Sequence, residues 1–298
     1  MQNVYEQIDA NKRKSAVLII LFILFIGAFG YFFAYQYGND WTYLVYALGF
    51  SFFGSFSSFY FSDKIALSLS GAHESDSVKH STFESITKTI AKSAGVQSPK
   101  TYIIPSQAMN AFATGRDPKH GAIAITQGLL DKLDRTELEG VIAHEISHIR
   151  NYDTRLMTIV AILVGTIAIV MDWSFRSGIG SSKKRSSGKA GSILAIIGVL
   201  LIILAPIIAN LIKLAISRRR EFFADAQATK ITRQPSGLIT ALQKISSSKA
   251  NLETASPATA HMYISNPLKN RKAGNFMAKM FSTHPPVQER IKALKGQL

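Results

Sequence analysis

Four stretches of the 298-residue chain are almost free of charge, and they set its plan. The first runs from Ala16 to about Ala34, just after Lys12-Arg13-Lys14. The second, Trp41 to Phe61, follows the short polar break Gly38-Asn39-Asp40 and closes at Ser62-Asp63-Lys64. The third, Leu156 to Met171, has about 16 residues where a spanning helix needs ~20. The fourth runs from Ile193 to about Leu214 and holds Pro206, which a packed membrane helix tolerates. The first stretch is long for the core of a signal peptide, has no clean small-residue cleavage site, and is followed at once by a second apolar stretch. The pattern predicts membrane helices at 16–36, 41–61, 156–173 and 193–214, the third short enough to serve instead as a buried core helix or partly inserted hairpin. The chain then divides into 1–62, a polar block 63–155, a second apolar pair 156–215 and a polar block 216–298.

Within the first polar block the periodicity predicts a helix over Val78–Ala94, then strands near Thr101–Ile104, Ala108–Thr114 and Ala122–Thr126, the last two parted by the turn Gly115-Arg116-Asp117-Pro118. Helical patterns follow at Gln127–Leu133 and from Thr136 onward, where Thr136 and Glu139 have the spacing of a capping box. The second block reads as helices over Arg218–Lys230, Ser236–Ser247 and Pro286–Leu294.

Composition sharpens this plan. Hydrophobic residues make up 47% of the chain and charged residues 18%, below the ~25% charged of ordinary soluble domains. The net charge of +15 raises nucleic acid as a partner, but the basic runs Lys12-Arg13-Lys14 and Arg218-Arg219-Arg220 sit beside apolar stretches. That placement suits cytoplasmic flanks and anionic lipid headgroups, and no nucleic-acid partner is expected. The same rule puts the N-terminus and both polar blocks on the cytoplasmic side. The basic linker from Ser174 to Ala190 breaks it, a conflict that a shallow hairpin resolves. With no cysteine in the chain, disulfides and thiolate metal sites are excluded, and any metal is held by His, Asp or Glu.

The chemistry concentrates in His144-Glu145-Ile146-Ser147-His148. Residues four apart on a helix lie one turn apart on one face, so both imidazoles can reach one ion. Glu145 is rotated by about 100° from His144, which suits it to take a proton from an attacking water rather than to ligate. A catalytic zinc takes three protein ligands and leaves one position open. The best third ligand is Glu221 in Arg218-Arg219-Arg220-Glu221-Phe222-Phe223-Ala224-Asp225, with Asp225 four residues on to accept the N–H of a ligating histidine. Taken alone, that segment reads as a charged helix start. Position favours the metal: His148 and Glu221 each lie within a few helical turns of an apolar stretch.

HEISH, the REFFAD segment, the upstream NAFATG and the downstream STHPP together resemble the HtpX family of bacterial membrane metalloproteases. These belong to the gluzincin group and are related to the CAAX prenyl endopeptidases. The resemblance covers nearly the whole chain. It implies one Zn2+ per chain held by His144, His148 and Glu221, with Glu145 as general base and acid. It further implies that Asn110 and His284 bind substrate backbone or stabilise the transition state. The expected fold is a mainly α membrane protein of about four transmembrane helices with a zincin-type metalloprotease domain containing a small β-sheet, where a substrate strand adds to the edge near Asn110. The implied setting is a bacterial cell membrane, with the lipid bilayer and membrane-protein or polypeptide substrates as partners. The implied task is quality control of misfolded proteins. A peptidase for a prenylated or otherwise defined peptide, and a non-enzymatic adaptor with a structural zinc, are the alternatives. On the residues alone His261 has no assigned chemistry, and His73, His80 and His120 read as solvated.

Overall fold

The computed structural model describes residues 4–36, 38, 40–174, 217–256, 259–267 and 285–296. Its centre is a strand with no polar alternation. Strand β4 (Ala122–Thr126) reads Ala-Ile-Ala-Ile-Thr, the pattern of a strand covered on both faces, and all five residues are buried. It pairs in parallel with β2 (Lys100–Ile104) and antiparallel with β3 (Ala111–Thr114). The short β1 (His73–Glu74) adds to β2, giving the order β1-β2-β4-β3. One face carries α4 (Ser81–Ala94), α6 (Arg135–Arg150) and α9 (Pro235–Ser247) through Phe83, Ile86, Ile142, Ile146 and Leu242. The other packs on α3 (Ser62–Leu69) and α7 (Asp153–Ser174) through Leu67, Phe112, Met157 and Tyr263. The remaining α-helices among the described residues are α1 (Val4–Gln36), α2 (Thr42–Tyr60), α5 (Gln127–Lys132), α8 (Arg218–Thr232) and α10 (Val287–Lys295).

Several elements depart from the expected boundaries for local reasons. Helix α6 is capped two residues earlier than Thr136. Asp134 accepts the N–H of Glu137 at 2.9 Å while the Glu137 carboxylate accepts the Asp134 N–H, a complete capping box. Glu139 instead pairs with Arg135 one turn back. Strand β3 begins at Ala111, because Asn110 turns its side chain back onto the Ala111 N–H. Helix α4 begins at Ser81, because Asp76 takes the N–H groups of Val78 and Lys79 into a turn.

The approach of α6 to α9 is backbone against backbone. A Cβ at Gly140 would sit 2.7 Å from the Leu238 nitrogen, and one at Gly237 would sit 2.4 Å from the Thr136 carbonyl oxygen. Gly140→Ala is therefore expected to lower stability by about 1–3 kcal/mol through overpacking, read as a lower unfolding midpoint at unchanged metal content.

Helix α1 starts twelve residues before its apolar stretch. Its polar first half is drawn inward by α7: Asn11, 2% exposed, donates to the Asn151 carbonyl at 3.0 Å and to Asp153 at 2.7 Å. Beyond it Leu18 packs on Leu156, Ile159 and Val160. Among the described residues no single helix is long and apolar enough to cross a membrane, while Thr42–Ser57 and Ser62–Leu69, bent by 82°, pass that test together. The fourth apolar stretch and positions 175–190 of the basic linker lie outside the described residues.

Candidate metal centre

Helix α6 presents His144, Glu145 and His148 toward α8, and all three are buried. His144, His148 and Glu221 bring ligand atoms within 4.8 Å of one another. The two Nε2 atoms are 3.2 Å apart, and the Glu221 oxygens lie 3.7 Å from His144 Nε2 and 3.5 Å from His148 Nε2. Two ligands about 2.05 Å from a tetrahedral zinc sit about 3.3 Å apart, so the donor set fits that ion.

The outer nitrogens decide which lone pairs face inward. His144 Nδ1 donates to Asp225 at 2.9 Å and His148 Nδ1 donates to Asp153 at 3.0 Å. Each carboxylate fixes its imidazole with the Nε2 lone pair aimed at Glu221. Two lone pairs facing each other at this range repel unless a cation or a proton lies between them. Burial alone would lower His148, but the Asp153 hydrogen bond and the Glu221 charge raise it to about 9. His144 falls to about 4 through burial and the nearby Arg290 charge. Without metal, a proton on His148 thus supplies the positive charge. Metal must displace that proton, so binding at pH 7–8 is expected to release about one proton per chain. Calorimetry in buffers of different ionisation enthalpy measures it, and apparent affinity should climb about tenfold per pH unit toward pH 9.

Burial raises Glu145 to about 7, opposed by the His148 charge and aided by Glu221. The backbone N–H of Ala113 on β3 faces its carboxylate and favours the ionised form. A base near neutrality is matched to taking and returning a proton at physiological pH.

Sequence reasoning missed Arg290, the largest of the fully buried side chains. From α10 it grips Asp225 with two parallel bonds, Nε to Oδ2 at 2.8 Å and Nη2 to Oδ1 at 2.6 Å. Nη2 also lies 3.4 and 3.5 Å from the two ring nitrogens of His144. Nη1 donates to the Ile264 carbonyl and lies 3.7 Å from Glu221. Burial would raise Asp225, but the Arg290 charge and hydrogen bonds hold it down to about 2. The legible signal was an arginine on the apolar stripe Val287, Ile291, Leu294. Asp153 was missed as well, since it sits across the turn Asn151-Tyr152 with only its distance from His148 to mark it.

Asn110 immediately precedes β3 and is held by the chain itself. Its amide donates to the Ser265 carbonyl at 2.9 Å and its oxygen accepts from Ser265 and Ala111. The neighbouring edge of β3 is taken by the chain itself: Ile264 donates to the Ala111 carbonyl and Tyr263 bridges Phe112. A strand adding there must displace residues 263–265. His284 lies outside the described residues. His261 is buried and donates to the Met157 carbonyl, tying the 260–262 turn to α7. His80 is buried, its Nδ1 accepting the Asp76 N–H, where a solvated side chain was expected.

A helix-borne HExxH pair, an acidic third donor from a second helix and a buried carboxylate beside them define a metal-dependent peptidase. The pattern of Peptidase family M48 matches residues 77–298. The chain is 44% identical over 299 residues to a protease HtpX homolog of Caldanaerobacter subterraneus, covering 99% of this chain and 98% of that one. It is 42% identical to one from Thermoanaerobacter pseudethanolicus, again over 99% and 98%, and 40% identical to one from Listeria monocytogenes over 98% and 99%. In fold it resembles the crystal structure of S. mikatae Ste24p, with a TM-score of 0.51 at 20% identity over 97% of this chain and 67% of that one. The chain belongs to peptidase family M48.

Proposed function

We propose that this metalloprotease is a membrane-embedded zinc endopeptidase that cuts misfolded or unassembled membrane proteins at the cytoplasmic face of a bacterial cell membrane. The observation that carries the reading is the buried donor set His144, His148 and Glu221, with Glu145 next to it on the same helix. Zinc held there would supply Lewis acidity to the scissile carbonyl and acidify the attacking water. Glu145 then takes the proton from that water as its oxygen bonds to the carbonyl carbon, and returns it to the leaving amide nitrogen as the C–N bond breaks. Asp225 and Asp153 keep both imidazoles oriented, and Arg290 holds Asp225 and flanks Glu221.

The membrane reading rests on surface. Helices α1 and α2 leave Ile20, Leu21, Leu24, Val45, Phe50 and Phe53 each more than half exposed, an apolar area far beyond scattered surface residues. Two measurements test the proposal. The purified chain in detergent should cleave an unfolded membrane protein with zinc and not after chelation, and cleavage that survives chelation with full loss of metal sinks it. A cysteine at Ser85 or Ser247, both exposed in this cysteine-free chain, should resist an impermeant thiol reagent in intact cells. Labelling without lysis reverses the orientation.

A further inference from the structure

Away from the metal, the polar half of α1 and the start of α8 enclose a cleft of about 370 Å³, lined among others by Gln7, Asn11 and Lys14 on one side and Arg219, Arg220 and Phe223 on the other. Three cations thus border one concavity. The compensating carboxylate is Asp153, 3.5 Å from Arg220 and already engaged by Asn11 and His148. Among the described residues neither Lys14 nor Arg219 has a carboxylate within ion-pair distance. The first turn of α8 also opens here. Ser217 makes no side-chain cap, so the N–H groups of Arg218 and Arg219 precede the first intrahelical bond. Burial first and then the Arg220 charge lower Lys14 from its ordinary value, against the opposing pull of Asp153.

The face of α1 that lines this cleft continues past Lys14 at helical spacing into Val17, Leu21 and Leu24, which are 47%, 55% and 62% exposed. A cationic concavity thus opens at the foot of an apolar stripe. The geometry points to a binding site for one anionic phospholipid, its phosphate between Lys14, Arg219 and Arg220 and an acyl chain along Val17–Leu21–Leu24. Free inorganic phosphate shares the headgroup chemistry but has no use for the stripe. The occupant would sit against Asn11 and Arg220, the two groups that hold Asp153, and Asp153 in turn orients His148. Membrane composition thereby gains a route of three contacts in series to the proposed ligand His148.

This inference rests on the membrane reading, and the test separates the two. The full-length protein in mild detergent is titrated with phosphatidylglycerol, phosphatidylcholine or inorganic phosphate and followed by native mass spectrometry. One phosphatidylglycerol per chain is expected to be retained in preference to phosphatidylcholine and to withstand millimolar phosphate. Lys14→Gln/Arg219→Gln should weaken that retention at least about tenfold through the loss of two cationic contacts, and Lys14→Arg should keep it. Equal retention by the double variant, no headgroup preference, or displacement by phosphate overturns the proposal. If the double variant does not fold, a photoactivatable phosphatidylglycerol on the unaltered protein decides, with labelling at residues 14–24 and 217–223 expected and labelling elsewhere fatal. Recovery of the chain in the soluble fraction without detergent would instead sink the membrane reading itself.

Discussion

Glu145→Gln is expected to abolish turnover while leaving the metal in place. The substitution keeps the size of the side chain and an oxygen to face the Ala113 N–H, but it removes the site that takes the proton from water. Proton transfer by a positioned group contributes about 10²–10⁴-fold, so cleavage of an unfolded membrane protein should fall by at least that factor. Glu145 is not among the three clustered donors, and metal per chain and unfolding midpoint should match the unaltered protein. Undiminished cleavage with normal metal would remove Glu145 from the mechanism. Loss of metal would make it a ligand and require a different geometry for the whole centre.

Arg290→Met should have a large effect on both stability and metal affinity although Arg290 is not itself a proposed ligand. It leaves Asp225, 2% exposed, without the paired bonds at 2.6 and 2.8 Å that hold it ionised. Breaking one side of a buried pair costs about 3–5 kcal/mol, and the disturbed support of His144 should cost a further 10–100-fold in metal affinity. Lysine should rescue poorly, since a point charge cannot span both carboxylate oxygens. The acid limb carries a separate signature. Asp225 is depressed to about 2, so its stabilising contribution is complete above the ordinary carboxylate value and is lost only as pH falls through about 2. In Arg290→Met burial acts on Asp225 without the guanidinium and its carboxyl rises. That contribution should then shrink or reverse, and the variant should lose less stability than the unaltered protein as pH falls from about 4 toward about 2. An unchanged midpoint and unchanged metal affinity would reduce Arg290 to a filler of space.

What could be read from the sequence was whatever is local. HEISH and the Glu221–Asp225 pair each lie within one turn of one helix, so spacing alone put their side chains on common faces. The strands at 101–104 and 122–126 were legible because short apolar runs ended in turn residues. The cap of α6 was misplaced by two residues because Asp134–Glu137 and Thr136–Glu139 carry the same signature, and only packing of the helix chooses between them. Arg290, Asp153 and the pairing of residues 263–265 with β3 depend on contacts between segments far apart in the chain. No periodicity records such contacts. Asn110 shows the same limit: its motif was visible, but its partner Ser265 lies 155 residues on.

The parts of the metal centre come off the ribosome in a fixed order. Asn11 is made first, His144 and His148 midway, Glu221 and Asp225 later, and Arg290 after all of them. Until synthesis passes that arginine, Asp225 lacks its α10 counter-charge beside His144, and burying it there costs about 3–5 kcal/mol. An unfinished chain can therefore carry the HExxH helix without a finished cutting edge.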